Sequence, residues 1–403
     1  MKYDFDREIN RRGTNSVKWE FIKHGDGLLY REEPDDSSSG TRLLPMWVAD
    51  MDFPCPEPVV EALVARAQHR LFGYTSPTDS YYNAIVNWMK KRHGWDIEPE
   101  WICITPGVVP ALNMLVKTYV SPGDKVLIQT PVYYPFNKAI ENSDGVLITN
   151  PLIYENGRYC MDFVGLEEKT KDPQVKMAIL CSPHNPVGRV WTRDELLRFG
   201  EICLKNNVLV VSDEIHGDLI LEGYVFTPFA GISEAFAQSS ITCTAPSKTF
   251  NLAGLKTSNI IIVDEDLRSR FKKTLGRTAL GGVGTFGVVA LEAAYNHGEE
   301  WLSQVLDYIM GNLKYLEKYI AEHLPQIKVV PLEGTYLVWL DCRSLGLGKL
   351  ELEKMMLEEA KVYLDEGYIF GTEGEGFERV NLACPRSVLV EALERIRNVL
   401  ERP

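Results

Sequence analysis

Lys248 stands directly after Pro246-Ser247 in TAPSKTFNLAGLK, residues 244–256, and residues 240–244 before it read as a strand. An ammonium at the end of a buried strand is costly without a partner. Burial lowers its pKa toward the neutral amine, the form that makes a Schiff base with a carbonyl. The alternative is a lysine on an ordinary surface loop. Tyr133, Asn185 and Asp213 follow predicted strands at 125–129, 176–181 and 208–211 in the same way. Open α/β sheets bind ligands beyond the carboxyl ends of their strands, which is where these four polar residues fall. Thr105-Pro106-Gly107 opens a helix from Val108, and the NH groups of a first turn can bind a phosphate. Many helices start after Pro-Gly without doing so, and Asn185-Pro186 is also a common turn pair.

The elements that must position these residues alternate. Strands at 125–129, 146–149, 176–181, 208–211, 241–244 and 259–263 are spaced by helical patterns, earlier ones lying at 57–71, 81–93 and 108–119. A helix at 192–204 opens with Thr192 and Glu195, the spacing of a capping box. Apolar strands separated by helices predict an α/β fold with a mostly parallel sheet covered on both faces. After a long helical stretch at 285–323 the pattern changes to strands at 328–331, 335–341 and 377–383 with helices at 350–359 and 387–400. That is the pattern of a smaller α+β lobe. The expected division is a large domain at 53–292 and a small one from 1–52 and 293–403. Residues 35–40, DDSSSG, read as a loop. Residues 43–56 carry Asp50 and Asp52 in an apolar, aromatic setting, as either a structured segment near a cleft or a linker.

The chain has 403 residues and a formal charge of −13, which argues against general affinity for nucleic acid or an anionic membrane. A single tightly held phosphate remains compatible with that charge. The eight cysteines are scattered without a CxxC pair or companion histidines, so they read as free buried thiols in a reducing compartment, with no metal site. The first residues lack the apolar core of a secretory signal, and no window is apolar enough to span a bilayer, so the expected location is cytoplasmic.

Several ordered strings carry a resemblance. SDEIHGDL is followed by APSKTF, with Lys248 35 residues after Asp213, and HNPVGRVW puts Asn185 28 residues before Asp213. Together they resemble the fold-type I pyridoxal-phosphate enzymes of the class I/II aminotransferase superfamily. WVADMDFP, PVYYPF, DEIHGDL and SKTFNLAGL resemble one branch, the bacterial cystathionine β-lyases and related C–S lyases. The likeness runs from WVADMDFP to RVNLACPR, nearly the whole chain.

The resemblance implies an aspartate-aminotransferase-like fold, pyridoxal 5'-phosphate as cofactor, and a role for each residue. Lys248 would bond to the cofactor's aldehyde carbon and later act as general base. Asp213 would face the pyridine nitrogen and Asn185 the phenolic oxygen. Tyr133 would stack on the ring, with Tyr134 beside it as a donor or simply a core aromatic. His216 stands where many transaminases have Tyr, to support Asp213 or the ring oxygen or as a structural histidine. Gly107, Val108, Ser247 and Thr244 would hold the phosphate. Lys256 matches a phosphate-binding Arg of the transaminases, and Ala245 stands where many relatives carry a hydroxyl. Tyr74 matches a tyrosine that reaches the phosphate from a second subunit, which implies a homodimer with shared sites; otherwise it is a turn aromatic. Arg386 matches the arginine that grips the substrate α-carboxylate, with Val48, Ala49 and Asp50 lining the mouth; Arg379 reads as structural. The implied reaction is β-elimination from S-substituted L-cysteines. The alternatives are an aminotransferase and a regulatory protein that keeps the fold.

Overall fold

The computed structural model describes residues 2–24, 27–30 and 42–402, and the loop expected at 35–40 lies outside them. The chain divides into two compact units. One comprises Pro54–Leu306 with Leu332–Thr335, the other Met1–Phe53, Asp307–Pro331 and Tyr336–Pro403.

In the larger unit seven strands form one sheet. Their order is Ile102–Thr105, Ser258–Ile261, Ser240–Thr244, Leu209–Asp213, Val175–Cys181, Lys125–Ile128 and Val146–Thr149. Ser258–Ile261 is antiparallel to both neighbours and the other pairs are parallel. This is the mostly parallel, helix-covered sheet that the alternating pattern predicts. The core joins Leu112, Leu115 and Val116 of helix Val108–Tyr119 to Val126, Ile128, Ile179, Val211, Ile241 and Ile260. Each such side chain contributes about 1.5–3 kcal/mol on burial, so the strand centres are fixed by apolar packing while their ends are free to carry polar groups.

Among the elements of this unit that the expected pattern lacks are an edge strand and a helix. Strand Ile102–Thr105 is four residues at the sheet edge, too short for a period to show. Helix Glu265–Thr278 sets Leu267, Phe271 and Leu275 four residues apart on one face against the core, a narrow stripe in an otherwise charged sequence; Asp264 starts it by accepting the Leu267 NH at 2.7 Å. The expected capping box is present at helix Arg193–Lys205, where Thr192 and Glu195 bond each other's backbone NH. The helix expected at 57–71 stops at Gln68.

The smaller unit holds a four-stranded antiparallel sheet in the order Lys328–Val329, Leu337–Asp341, Phe377–Asn381 and Asp365–Glu366. The closing helix Arg386–Leu400 buries Val388, Leu389, Ala392, Leu393 and Ile396, one face at helical spacing. The helix expected at 350–359 is instead Lys349–Lys354 followed by a π-helical turn, Met355–Glu359. All eight cysteines are free; six are buried as expected, whereas Cys55 is half-buried and Cys160 exposed. Among the described residues no helix is long and apolar enough to cross a membrane.

Candidate active site

Strand register assembles the site. Asp213 is the last residue of its strand rather than the residue beyond it, and it is level with Cys181 on one side and Cys243 on the other. Because these strands are parallel, the segments carrying Asn185, Asp213 and Lys248 leave the same end of three neighbouring strands. The next strand over, Lys125–Ile128, supplies Tyr133, whose NH donates to the Asn185 carbonyl at 3.1 Å. Four residues spread over 115 positions of sequence thus form one row along four adjacent strand ends.

Lys248 lies on a single helical turn, Pro246–Thr249, started by the proline whose missing NH costs nothing there. It is half-buried. Asp213 is buried, and burial pushes its carboxyl up to about 7 against the Ile215 NH at 3.2 Å and the Lys248 charge, which both pull it down. Glu214 beside it is also buried. Burial outweighs its bonds from the Phe229 NH (2.9 Å) and the Ser212 hydroxyl (2.8 Å) and pushes it up to about 8.

These two acids make the ligand-free protein pH-sensitive. An unfolded Asp or Glu titrates near 4, so between about pH 4 and 8 the folded state holds protons the unfolded state has released. Their stabilising contribution is complete below pH 4 and is lost as pH rises through about 7 and 8. The urea midpoint of the ligand-free chain should therefore fall from pH 5 to pH 8. Asp213→Asn and Glu214→Gln, which cannot ionise, should each flatten that fall; an unchanged slope in both would contradict it.

Residues missed in the sequence hold the lysine turn. Asp218, in the last part of DEIHGDL, accepts from Thr249 Oγ1 (2.7 Å), Trp88 Nε1 (3.0 Å) and His93 Nε2 (2.8 Å). Burial pushes Asp218 up, but the His93 and Thr249 bonds outweigh it and keep the carboxyl below its ordinary value. Phe250, also next to the turn, packs against Trp88, Tyr295 and Trp301. The visible signal was an acid five residues after Asp213; its partners are too distant in sequence to read.

The segment carrying Asn185 is held by a buried ion pair. Arg189 Nε meets Glu333 Oε2 at 2.9 Å, and Glu333 also accepts from the Val190 NH (2.9 Å) and from Arg158 Nη2 (2.8 Å). Arg189 further reaches both oxygens of Glu195 at 3.0 and 2.8 Å and the Tyr159 carbonyl.

The other predicted residues fall as follows. Gly107 caps helix Val108–Tyr119 at φ 149°, a conformation that favours glycine, and Val108 is buried in its first turn. Thr244 Oγ1 is buried and bonds to nothing among the described residues, Ala245 is buried, and Ser247 is half-buried. Tyr134 lies 5.4 Å from Tyr133 between ring centroids, and His216 is buried. Lys256 is exposed, in a left-handed turn at φ 49°. Tyr74 is fully exposed. In the smaller unit Arg386 is the first residue of the closing helix. Its Nε donates to Asn312 Oδ1 at 2.7 Å and its guanidinium lies 4.8 Å over Tyr315. The Ala49 carbonyl accepts from Tyr336 OH at 2.8 Å. Arg379 is buried against Asp365 and the Trp47 carbonyl, the structural role expected of it.

Among known proteins, residues 43–396 match the family model for aminotransferase class I and II. The chain belongs to that family. Within it, the chain is 46% identical to cystathionine beta-lyase PatB of Bacillus subtilis strain 168, over 98% of this chain and 100% of that one. It is 31% identical to protein MalY of Escherichia coli K12, over 99% of each. Two solved structures are also similar. Cystalysin of Treponema denticola, which contains pyridoxal 5'-phosphate, has a TM-score of 0.93 at 42% identity, over 100% of this chain and 99% of that one. The PLP-bound C-S lyase of Staphylococcus hominis has a TM-score of 0.88 at 35% identity, over 99% of each.

Proposed function

We propose that this family member is a pyridoxal-phosphate-dependent C–S lyase that eliminates the thiol from S-substituted L-cysteines such as cystathionine. The observation that carries the reading is the row Tyr133, Asn185, Asp213 and Lys248 along four adjacent strand ends. The residues fit the cofactor. Asp213 is a buried carboxyl suited to a cationic ring nitrogen, Lys248 is an amine near enough to bias it, and Thr244 Oγ1 is a buried hydroxyl with capacity to bond. The helix opening at Gly107 presents NH groups to an anion.

When bound, pyridoxal phosphate supplies an electron-withdrawing ring that takes up the electron pair left at the substrate Cα. The chain's own residues do the rest. Lys248 holds the cofactor's reactive carbon and, once displaced by the substrate amine, takes the Cα proton. Asp213 keeps the ring nitrogen protonated, supported by His216. Asn185 donates to the ring oxygen, and Tyr133 covers the ring face. Gly107, Val108, Thr244, Ser247 and Lys256 hold the phosphate, with Tyr74 arriving from a second copy of the chain. Arg386 and Ala49 hold the substrate α-carboxylate, and Tyr134 stands by as a proton donor to the departing sulfur. Loss of the thiol leaves 2-aminoacrylate, which water converts to pyruvate and ammonia. The unit Pro54–Leu306 with Leu332–Thr335 serves here as the cofactor-binding domain, and the other unit as the smaller one.

The test is cystathionine with the cofactor-loaded enzyme. Pyruvate and homocysteine should appear in equal amounts, with ammonia. Transfer of the amino group to an added 2-oxo acid, without pyruvate from cystathionine, would select an aminotransferase instead. Neither product from a chain with bound cofactor would overturn both.

A further inference from the structure

We infer that the N-terminal segment Arg11–Trp19 is a clamp that sets the shape of the strap Trp47–Asp52, with Arg11 as its principal positioning residue. The inference rests on the proposed role of Ala49 as a contact for the substrate carboxylate.

The strap has an unusual bonding pattern. In helices and sheets, backbone carbonyls are taken by backbone NH groups. Here five successive carbonyls accept side chains. Arg379 Nη2 reaches the Trp47 carbonyl at 2.8 Å, and Asn381 Nδ2 reaches those of Val48 (2.7 Å) and Asp50 (2.6 Å). Tyr336 OH reaches Ala49 at 2.8 Å, and Arg11 Nη1 reaches Met51 at 3.2 Å. Both ends are tied to backbone, Met46 NH to the Tyr363 carbonyl and Asp52 NH to the Ala383 carbonyl, each at 2.8 Å. Residues 43–47 and 51–53 are buried, whereas Val48, Ala49 and Asp50 are only half-buried. The strap therefore holds three residues out at a fixed shape.

Arg379, Asn381 and Tyr336 come from or beside the smaller unit's sheet. Arg11 comes from a segment with no regular structure of its own. Its guanidinium pairs with both oxygens of Asp50 (Nη1 to Oδ1 2.9 Å, Nη2 to Oδ2 2.6 Å) and with Asp52 Oδ1 at 2.7 Å. Asp52 also accepts from Lys18 Nζ (2.6 Å) and Trp19 Nε1 (2.8 Å), and the Lys18 carbonyl accepts from Trp47 Nε1 at 3.1 Å. Lys18 and Asp52 are both buried. A buried ion pair is a poor source of net stability, because desolvation offsets its attraction. What it provides is geometry: the planar fork grips Asp50 through two nitrogens while Nη1 also meets Asp52 and the Met51 carbonyl, and a single ammonium nitrogen cannot reproduce that two-nitrogen grip.

The test uses the cofactor-loaded enzyme and L-alanine, an amino acid with no leaving group, whose binding is read from the cofactor's absorbance. Arg11→Met should raise the Kd for L-alanine and the KM for cystathionine about tenfold, the worth of one charge-assisted hydrogen bond. The kcat should stay within about twofold and the cofactor content unchanged. Arg11→Lys, which keeps the charge and loses the fork, should give an intermediate rise, and it decides the matter alone if Arg11→Met does not fold. An unchanged Kd, or a parallel loss of kcat and cofactor, would overturn the clamp. A wild-type enzyme whose bound cofactor responds to no amino acid would instead overturn the proposed function, and the clamp with it.

Discussion

Replacing Lys248 with alanine should lower the rate of pyruvate release from cystathionine by about 10⁴-fold or more. A positioned general base is worth about 10²–10⁴-fold, and in the proposed reaction this residue also supplies the covalent attachment. The same turn can be probed for chemistry against charge. Lys248→Arg keeps a cation beside Asp213 but has no amine that can lose its proton near neutral pH, so it should be as inactive as the alanine variant. The lysine is half-buried on a short turn held mainly by Thr249 and Phe250, so the urea midpoint should barely move. Activity within tenfold of wild type in either variant would remove Lys248 from the reaction.

Glu333→Leu should destabilise the larger unit by about 3–5 kcal/mol, read as a lower urea midpoint, because it strands the buried Arg189 guanidinium beside a missing carboxylate. Arg189 keeps its bonds to Glu195, and the lost Val190 bond adds to the damage. The paired variant Arg189→Met with Glu333→Leu should recover part of the loss, since it leaves no fully buried charge, only the more exposed Arg158 and Glu195 without these partners. The effect should reach Asn185. The His184 NH bonds the Arg189 carbonyl at 2.8 Å, so the turn between them is fixed by the same residue. A single variant as stable as wild type would show that the pair contributes nothing.

The large elements of the fold are legible because burial imposes a period. Strand Val175–Cys181 is nearly continuous in its burial and reads as an apolar run, and helix Val108–Tyr119 shows its buried face at helical spacing. Helix Arg193–Lys205 is readable from its cap alone. Legibility fails where local signals are short or overridden. The strand Ile102–Thr105 earns its place by pairing with Ser258–Ile261, more than 150 residues away. The π turn Met355–Glu359 follows an ordinary helical pattern and shows no mark in it.

The candidate site divides in the same way. Lys248, Asp213, Asn185 and Tyr133 were readable because each stands at or beyond the end of an apolar run and carries a reactive or polar group that an ordinary strand end does not need. The residues that hold them were not. Asp218 meets Trp88, His93 and Thr249, and Arg189 meets Glu333, 144 residues on. Lys18 and Arg11 carry no local signal of the pairs they make with Asp50 and Asp52.

The sequence by itself determined the strand ends, the chemical groups placed there and the alternation that makes the sheet parallel, because those follow from side-chain type and local period. Only the tertiary structure decided which strands are neighbours, how burial raises the Asp213 carboxyl in the ligand-free chain and which buried ions fix the Asn185 turn and the Trp47–Asp52 strap. Those properties depend on the exclusion of water and on charges that meet from distant parts of the chain, and neither is written in any local stretch of residues.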